Sequence, residues 1–389
     1  MSEAPHFYEI FPLSLRRHGE ELCGDEVKYC RLADRTIVVL SDGLGSGIKA
    51  AILARLTTEI IVTMLRAEAP LREVIETVTG TLPISREHGL AYSTFVILQI
   101  RNRDGWFQLS GFDSPPAVLV REQRPQRLES RSEVVGGKPL MLSEGVLLPG
   151  DFLGLMSDGV LHASPGVTRD PAWGWEAVAA CLGKAALNGA GSAEFLVRAV
   201  MTETRRRYGE RVGDDATFVG VLARQPRRLM VFTGPPTDRG REEACVNRLL
   251  SFEGRRVVCG GTTAQIVAEH SGEVLRTDES TRREGIPPIG VLPDLDLVTE
   301  GILTMARALE LLKTSQGNPQ RLAVDRNGAV LLAREFLQAD SIVFLAGESV
   351  NPYYQNPQLP RSVSIRRSLV TQLVETLRSL QKVVSVEWV

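Results

Sequence analysis

With 389 residues, 43% of them hydrophobic and 24% charged, the chain has the composition of a packed globular protein and the length of about two domains. Its 45 basic and 47 acidic residues leave a net charge of -2, so neither nucleic acid nor an anionic membrane is an expected partner. The five cysteines (Cys23, Cys30, Cys181, Cys245, Cys259) include no CxxC pair, which argues against a disulfide framework and a structural zinc site. The opening MSEAPHFYEI lacks the basic and apolar segments of a secretory signal, and no apolar run is long enough to span a bilayer. A cytoplasmic setting is the expectation.

In chain order, short β-branched or aromatic runs bounded by Gly, Pro, Asp or Asn predict strands at 36–40, 93–100, 106–110, 117–121, 152–156 and 216–222. Asn102 to Gly105 reads as a hairpin turn between two of them. Helices are expected at 48–65, 71–82, 174–183 and 192–207. Strands and helices come in runs, which predicts an α+β domain. The polar, basic, proline-containing link around Arg224 to Arg228 marks a boundary, giving domains 1–224 and 228–389. The second part alternates. Strands at 229–234, 255–261, 341–347 and 383–389 are interleaved with helices at 241–250, 262–270, 302–312, 320–338 and 363–382. That order predicts an α/β domain with a mostly parallel sheet.

Aspartate recurs beside glycine where strands of the first part end: Gly24-Asp25, Asp42-Gly43, Asp158-Gly159 and Gly213-Asp214-Asp215. Asp-Gly is a common turn pair, and each of these is readable as a turn alone. Four of them without His or Cys companions also form a set of hard oxygen donors suited to magnesium or manganese. The stretch SDGLGSG at 41–47 is rich in glycine but fails the nucleotide-loop templates: Gly47 is followed by Ile48, not Lys, and the glycine spacing is not GxGxxG.

The ordered motifs GDE (24–26), SDGLGSG (41–47), GFDSPPAVLV (111–120), LPGDFLGLMSDGV (148–160) and GDDATFVGVL (213–222) together resemble the SpoIIE-type branch of the metal-dependent PPM serine/threonine protein phosphatases. The resemblance spans about residues 7–224. It implies a β-sandwich of two antiparallel sheets flanked by helices. It implies two divalent cations, Mn2+ or Mg2+, with Asp42 bridging them, Asp25 and the Gly43 carbonyl on one, and Asp158 and Asp214 on the other. Asp215 would serve that second ion through water or orient its neighbour. It further implies hydrolysis of phosphoserine or phosphothreonine by direct attack of a metal-activated water, on a protein such as an anti-sigma antagonist in bacterial partner-switching signalling. Arg16, Arg17, His88 and His162 receive no role. The alternative is a catalytically inactive phosphatase-like module that only captures a partner, and the intact carboxylate motifs weigh against it.

The second part resembles no family. After the strand ending at Cys259, Gly260-Gly261-Thr262-Thr263 opens a helix. Thr262 as helix cap is the simpler reading. A small anionic ligand at Gly260 to Thr263 is the other. Gly347-Glu348-Ser349 falls at another strand end, and Asn351 to Pro360 (NPYYQNPQLP) reads as a lid or partner surface. A regulatory or ligand-sensing role is expected for this domain.

Overall fold

The structure is a computed structural model that describes residues 6–81, 93–135, 137–164, 173–189, 191–349 and 365–389. The chain divides into two compact units, Met1–Gln225 and Pro226–Val389.

The first unit has two antiparallel sheets. One runs β2 (Asp25–Arg31), β3 (Arg35–Gly43), β4 (Ser93–Arg101), β5 (Trp106–Phe112), β9 (Lys138–Val146), β8 (Arg131–Val135). The other runs β1 (Phe7–Leu15), β11 (Ala216–Arg224), β10 (Phe152–Met156), β6 (Val118–Arg121), β7 (Arg124–Arg127). The run Ile37-Val38-Val39-Leu40 shows why they stack. Val38 and Leu40 enter the core between the sheets, against Leu153, Leu155, Val219 and Val221. Ile37 and Val39 face the other way, against helices α1 (Gly47–Arg66) and α2 (Leu71–Thr81). A strand buried on both faces cannot alternate apolar with polar, so it reads as a continuous apolar run. Each such fully buried side chain contributes about 1.5–3 kcal/mol.

On the outer face of the second sheet, Phe152, Met156 and Phe218 pack under α4 (Gly174–Leu187) and α5 (Ala193–Tyr208). Ser192 caps α5 by accepting from the Phe195 N–H at 3.2 Å. The result is a helix–sheet–sheet–helix sandwich with a short helix, α3 (Asp158–Leu161), at the end of β10.

The strands β1, β2, β7, β8 and β9 were not expected. They carry half-exposed or charged residues, as in RPQR at Arg124–Arg127, and lack the apolar run used to find the others. β1, β2, β7 and β8 are the four edges of the two sheets, where little burial is needed, and β9 is interior but has one largely exposed face.

The second unit is doubly wound. Its sheet runs β14 (Arg276–Asp278), β15 (Ile289–Val291), β16 (Leu297–Thr299), β13 (Arg255–Cys259), β12 (Arg228–Thr233), β17 (Ser341–Ala346), β18 (Val383–Trp388). From β16 to β18 neighbours are parallel, while β14 and β15 form an antiparallel edge. Helices α8 (Ile302–Ser315), α9 (Gly328–Gln338) and α10 (Ile365–Ser379) cover one face, and α6 (Glu242–Leu250) and α7 (Gly261–Ser271) the other. The order in which strands are added reverses at β12: the chain goes first to β13 and β16 on one side, then to β17 and β18 on the other.

Two expectations change here. The single helix foreseen over 320–338 is a 3-10 turn at Pro319–Arg321 and a separate helix from Gly328. Asp325 turns the chain by accepting from the N–H groups of Arg326 and Asn327, and Asn327 then caps α9 through Val330 N–H at 3.0 Å. Second, Thr262 does not cap α7; Gly260, at φ 135°, occupies that position. Among the described residues no helix is long and apolar enough to cross a membrane.

Each unit owns its apolar cores. Cutting the chain after Gln225 should therefore give two pieces that each unfold cooperatively, measured by circular dichroism on heating. A first piece without a cooperative transition would contradict the independence of its core.

Candidate metal centre

Strand ends from both sheets of the first unit meet in one place, and the carboxylates stand there. Asp25, the first residue of β2, lies opposite Asp42 in the β2–β3 register. Ser157, at the end of β10, crosses to the other sheet: its hydroxyl donates to Asp25 Oδ2 at 2.8 Å and accepts from the Thr217 N–H of β11 at 2.8 Å. Asp158 follows, and Asp214 and Asp215 precede β11. The structure thus brings Asp25, Asp42, Gly43, Asp158, Asp214 and Asp215 to one end of the sandwich.

Their electrostatics are unfavourable to one another. Asp42 is pushed far above the ordinary carboxylate range, first by burial, then by the charges of Asp25 and Asp158, with a hydrogen bond to Asp158 and the charge of Asp214 adding to it. Asp25 is also raised, first by burial, against the lowering effect of bonds from Ser157 and Thr217. Asp214 rises through burial and then through Asp158. Acidic groups that disfavour each other's ionisation at one site are relieved by a cation.

Asp25 adds a sharper sign: it is 5% exposed, and its Oδ1 is buried without a hydrogen-bond partner. A carboxylate oxygen left so is costly unless a positive charge meets it. Among the described residues no three His, Cys, Asp or Glu side chains already close into a ligand set. The fit to a metal therefore rests on that orphaned oxygen and on an all-oxygen donor set, which suits Mg2+ or Mn2+.

Asp215 is held differently from the other four. Its Oδ1 accepts from Arg17 N–H and its Oδ2 from Gly24 N–H, both at 2.9 Å. Each oxygen accepts one backbone N–H of the segment between β1 and β2, so the side chain clamps that segment.

The glycines of the two SDG motifs have one physical cause. A Cβ on Gly43 would lie 2.1 Å from the Ala50 carbonyl oxygen, and one on Gly159 would lie 2.0 Å from that of Asp215. Backbone passes where any side chain would be. Tyr208 fixes the second motif further by donating to the Gly159 carbonyl at 2.6 Å. Ser157, Thr217 and Tyr208 were not singled out from sequence; the serine before each Asp-Gly was the available signal.

The groups left without a role stand nearby or outside. His162 Nδ1 is 3.8 Å from Asp158 Oδ2 and its side chain is largely exposed. Arg17 is exposed, and its charge acts to lower Asp214. Arg16 donates to the Glu21 carbonyl at 2.6 Å. His88 lies outside the described residues.

In the second unit, the Thr263 hydroxyl of the Gly260 to Thr263 turn is buried and accepts from Gly234 N–H at 2.9 Å, so it faces the protein. The loop after β17 is likewise engaged: Gly347 N–H donates to Thr233 O at 2.9 Å, and Arg366 donates to the carbonyls of Gly347 and Ser349 at 3.1 and 3.0 Å. Asn351 to Pro360 lies outside the described residues.

Residues 33–224 match the family model for Stage II sporulation protein E (SpoIIE). Asp42, Asp158 and Asp214 fall inside the match, and Asp25 precedes it. A search of curated proteins returns no match. Among solved structures, the chain is similar to the PP2C phosphatase domain of SpoIIE from Bacillus subtilis with a fragment of its regulatory domain, at 19% identity and TM-score 0.48. That match covers 57% of this chain and 64% of the other, less than two thirds of its length. The RsbU and RsbW domains of a Mycobacterium tuberculosis protein match at 20% identity and TM-score 0.48, over 72% of this chain and 73% of that one. The SiaA PP2C domain of Pseudomonas aeruginosa matches at 18% and 0.46, over 55% and 85%. The first unit therefore carries a SpoIIE-type domain over residues 33–224, folded as a sandwich of two antiparallel sheets.

Proposed function

We propose that the first unit hydrolyses phosphoserine or phosphothreonine on a protein partner, with two divalent cations, Mn2+ or Mg2+, held by Asp25, Asp42, the Gly43 carbonyl, Asp158 and Asp214. The observation that carries this reading is the buried, unpartnered Oδ1 of Asp25 among carboxylates that disfavour one another's charge. When bound, such cations supply positive charge to the phosphoryl oxygens and acidify water.

The chain's own residues supply the frame. Ser157 orients Asp25 through Oδ2, which leaves Oδ1 for the cation. Burial and the neighbouring carboxylates disfavour the ionised form of Asp42, and a cation there would relieve that cost. Asp215 holds Arg17 and Gly24 by their N–H groups and so fixes the backbone leading into Asp25. A partner of the anti-sigma-antagonist kind, in partner-switching signalling, follows from the SDGLGSG form of the loop. The second unit, 226–389, acts on regulation or substrate choice and not on the hydrolysis.

Two substitutions separate ligand from clamp. Asp42→Asn should lower phosphate release from p-nitrophenyl phosphate at least about 100-fold, as expected when a group acting directly at the reacting centre is lost. It should raise the melting temperature of the metal-free protein, because it removes a charge that burial and its neighbours disfavour. Asp215→Asn should lower that temperature instead, since an amide cannot accept at both positions; about 1–3 kcal/mol is the cost of an unmet buried group. Full activity in Asp42→Asn would sink the metal assignment.

Chelation with EDTA should abolish hydrolysis, and Mn2+ or Mg2+ should restore it, read with phosphoserine, phosphothreonine and phosphotyrosine peptides side by side. Preference for phosphotyrosine would overturn the substrate class. The piece ending at Gln225 should keep the metal-dependent hydrolysis of p-nitrophenyl phosphate.

A further inference from the structure

The segment between β1 and β2, residues 16–24, touches both the loop that carries Asp214 and Asp215 and the turn that carries Asp42 and Gly43. Arg17 and Gly24 N–H groups are held by Asp215, and His18 N–H donates to the Val212 carbonyl at 2.8 Å. These contacts tie the segment to the GDD loop. Its middle reaches the other way. Glu20 Oε1 accepts from the Ser46 hydroxyl at 2.8 Å, at the start of α1.

Gly47, the first residue of α1, shows how closely that carboxylate fits. A Cβ there would meet Glu20 Oε2, and Gly47 itself sits at φ 71°. The last glycine of SDGLGSG is required by its backbone angle, and the Glu20 carboxylate packs into the space its missing side chain leaves. The start of α1 has no other such support: Ser46 makes no capping bond and the first turn holds no acidic residue. A carboxylate from a distant segment takes the place a first-turn Asp or Glu would fill, where negative charge is favourable. Glu20 lies four positions before Gly24, and Ser46 lies four positions after Asp42 and three after Gly43.

We propose that Glu20 is a positioning residue that locks the turn carrying Asp42 and Gly43 to the GDD loop, through Ser46 and Gly47 on one side and the Asp215 clamp on the other. Glu20 touches neither substrate nor cation in this scheme. It sets the distance between two groups of ligands that lie far apart in sequence. The proposal rests on the metal reading above for its consequence, and on the geometry alone for its mechanics.

The test uses the full chain and three readouts: hydrogen exchange of the metal-free protein, Mn2+ binding by calorimetry, and Mn2+-dependent hydrolysis of p-nitrophenyl phosphate. Glu20→Ala should speed exchange in the peptide covering 41–49 and leave peptides of the second unit unchanged. It should weaken Mn2+ binding about 10-fold, the scale on which outer partners of metal ligands act, with hydrolysis recovering at high Mn2+. Glu20→Gln, which keeps an acceptor for Ser46, should restore most of the loss. Ser46→Ala combined with Glu20→Ala should cost less than the sum of the two, as coupled partners do.

Unchanged exchange over 41–49 in Glu20→Ala overturns the proposal, and so does faster exchange with unaltered Mn2+ affinity. Should Glu20→Ala fail to fold, Glu20→Gln and Ser46→Ala carry the same comparison, and wild-type exchange in both overturns it. If the wild-type chain binds no Mn2+ and hydrolyses no phosphomonoester, the phosphatase reading fails, and the exchange result alone still decides whether Glu20 holds the turn.

Discussion

The first unit depends on keeping several carboxylates together at one end of a sandwich against their mutual repulsion. Burial and the charges of Asp25, Asp158 and Asp214 all work against an ionised Asp42. The fold meets this with groups that cannot move away: strand register sets Asp25 opposite Asp42, the Ser157 hydroxyl bridges the two sheets, and the backbone N–H groups of Arg17 and Gly24 hold Asp215. Two deeply packed sheets make that possible. Val38 and Leu40 on one and Leu153 and Leu155 on the other share a core, so the strand ends arrive with little freedom.

The same constraint explains the glycines. In SDG at 41–43 and at 157–159 the glycine lets a second backbone pass within a distance that no Cβ tolerates. Each motif is thus one side chain that carries charge and one missing side chain that allows the charge to be crowded. At Gly47 the glycine is set by its φ of 71°, and the Glu20 carboxylate uses the room it leaves.

What was legible in the sequence follows from burial. The apolar strands at 36–40, 152–156 and 216–222 stood out because both of their faces are covered, and the aspartates stood out because they sit where those strands stop. β1 and β2 did not stand out, since their residues are mostly half-exposed, although β2 begins at Asp25. Asp215 was recognised as different from Asp214, but the cause, two backbone N–H groups from a segment about 190 residues earlier, belongs to tertiary structure. Glu20 was invisible for the same reason: in sequence it is one acid in an exposed polar stretch. The helix foreseen over 320–338 failed on local chemistry, because Asp325 and Asn327 offer the backbone side-chain bonds that compete with a helix.

The second unit applies a related arrangement with a different outcome. Its strand ends at the reversal of strand order are where open α/β sheets hold ligands. Here the loops satisfy one another: Ser349 N–H donates to the Pro235 carbonyl at 3.3 Å, and Arg366 bonds the carbonyls of Gly347 and Ser349. The Thr233 hydroxyl is left without a partner there. An unpaired hydroxyl costs far less than an unpaired carboxylate oxygen beside further carboxylates. Strand-end topology is common to both units, and the unmet charge is found in the first, so the chemistry is argued from the carboxylates and not from the fold.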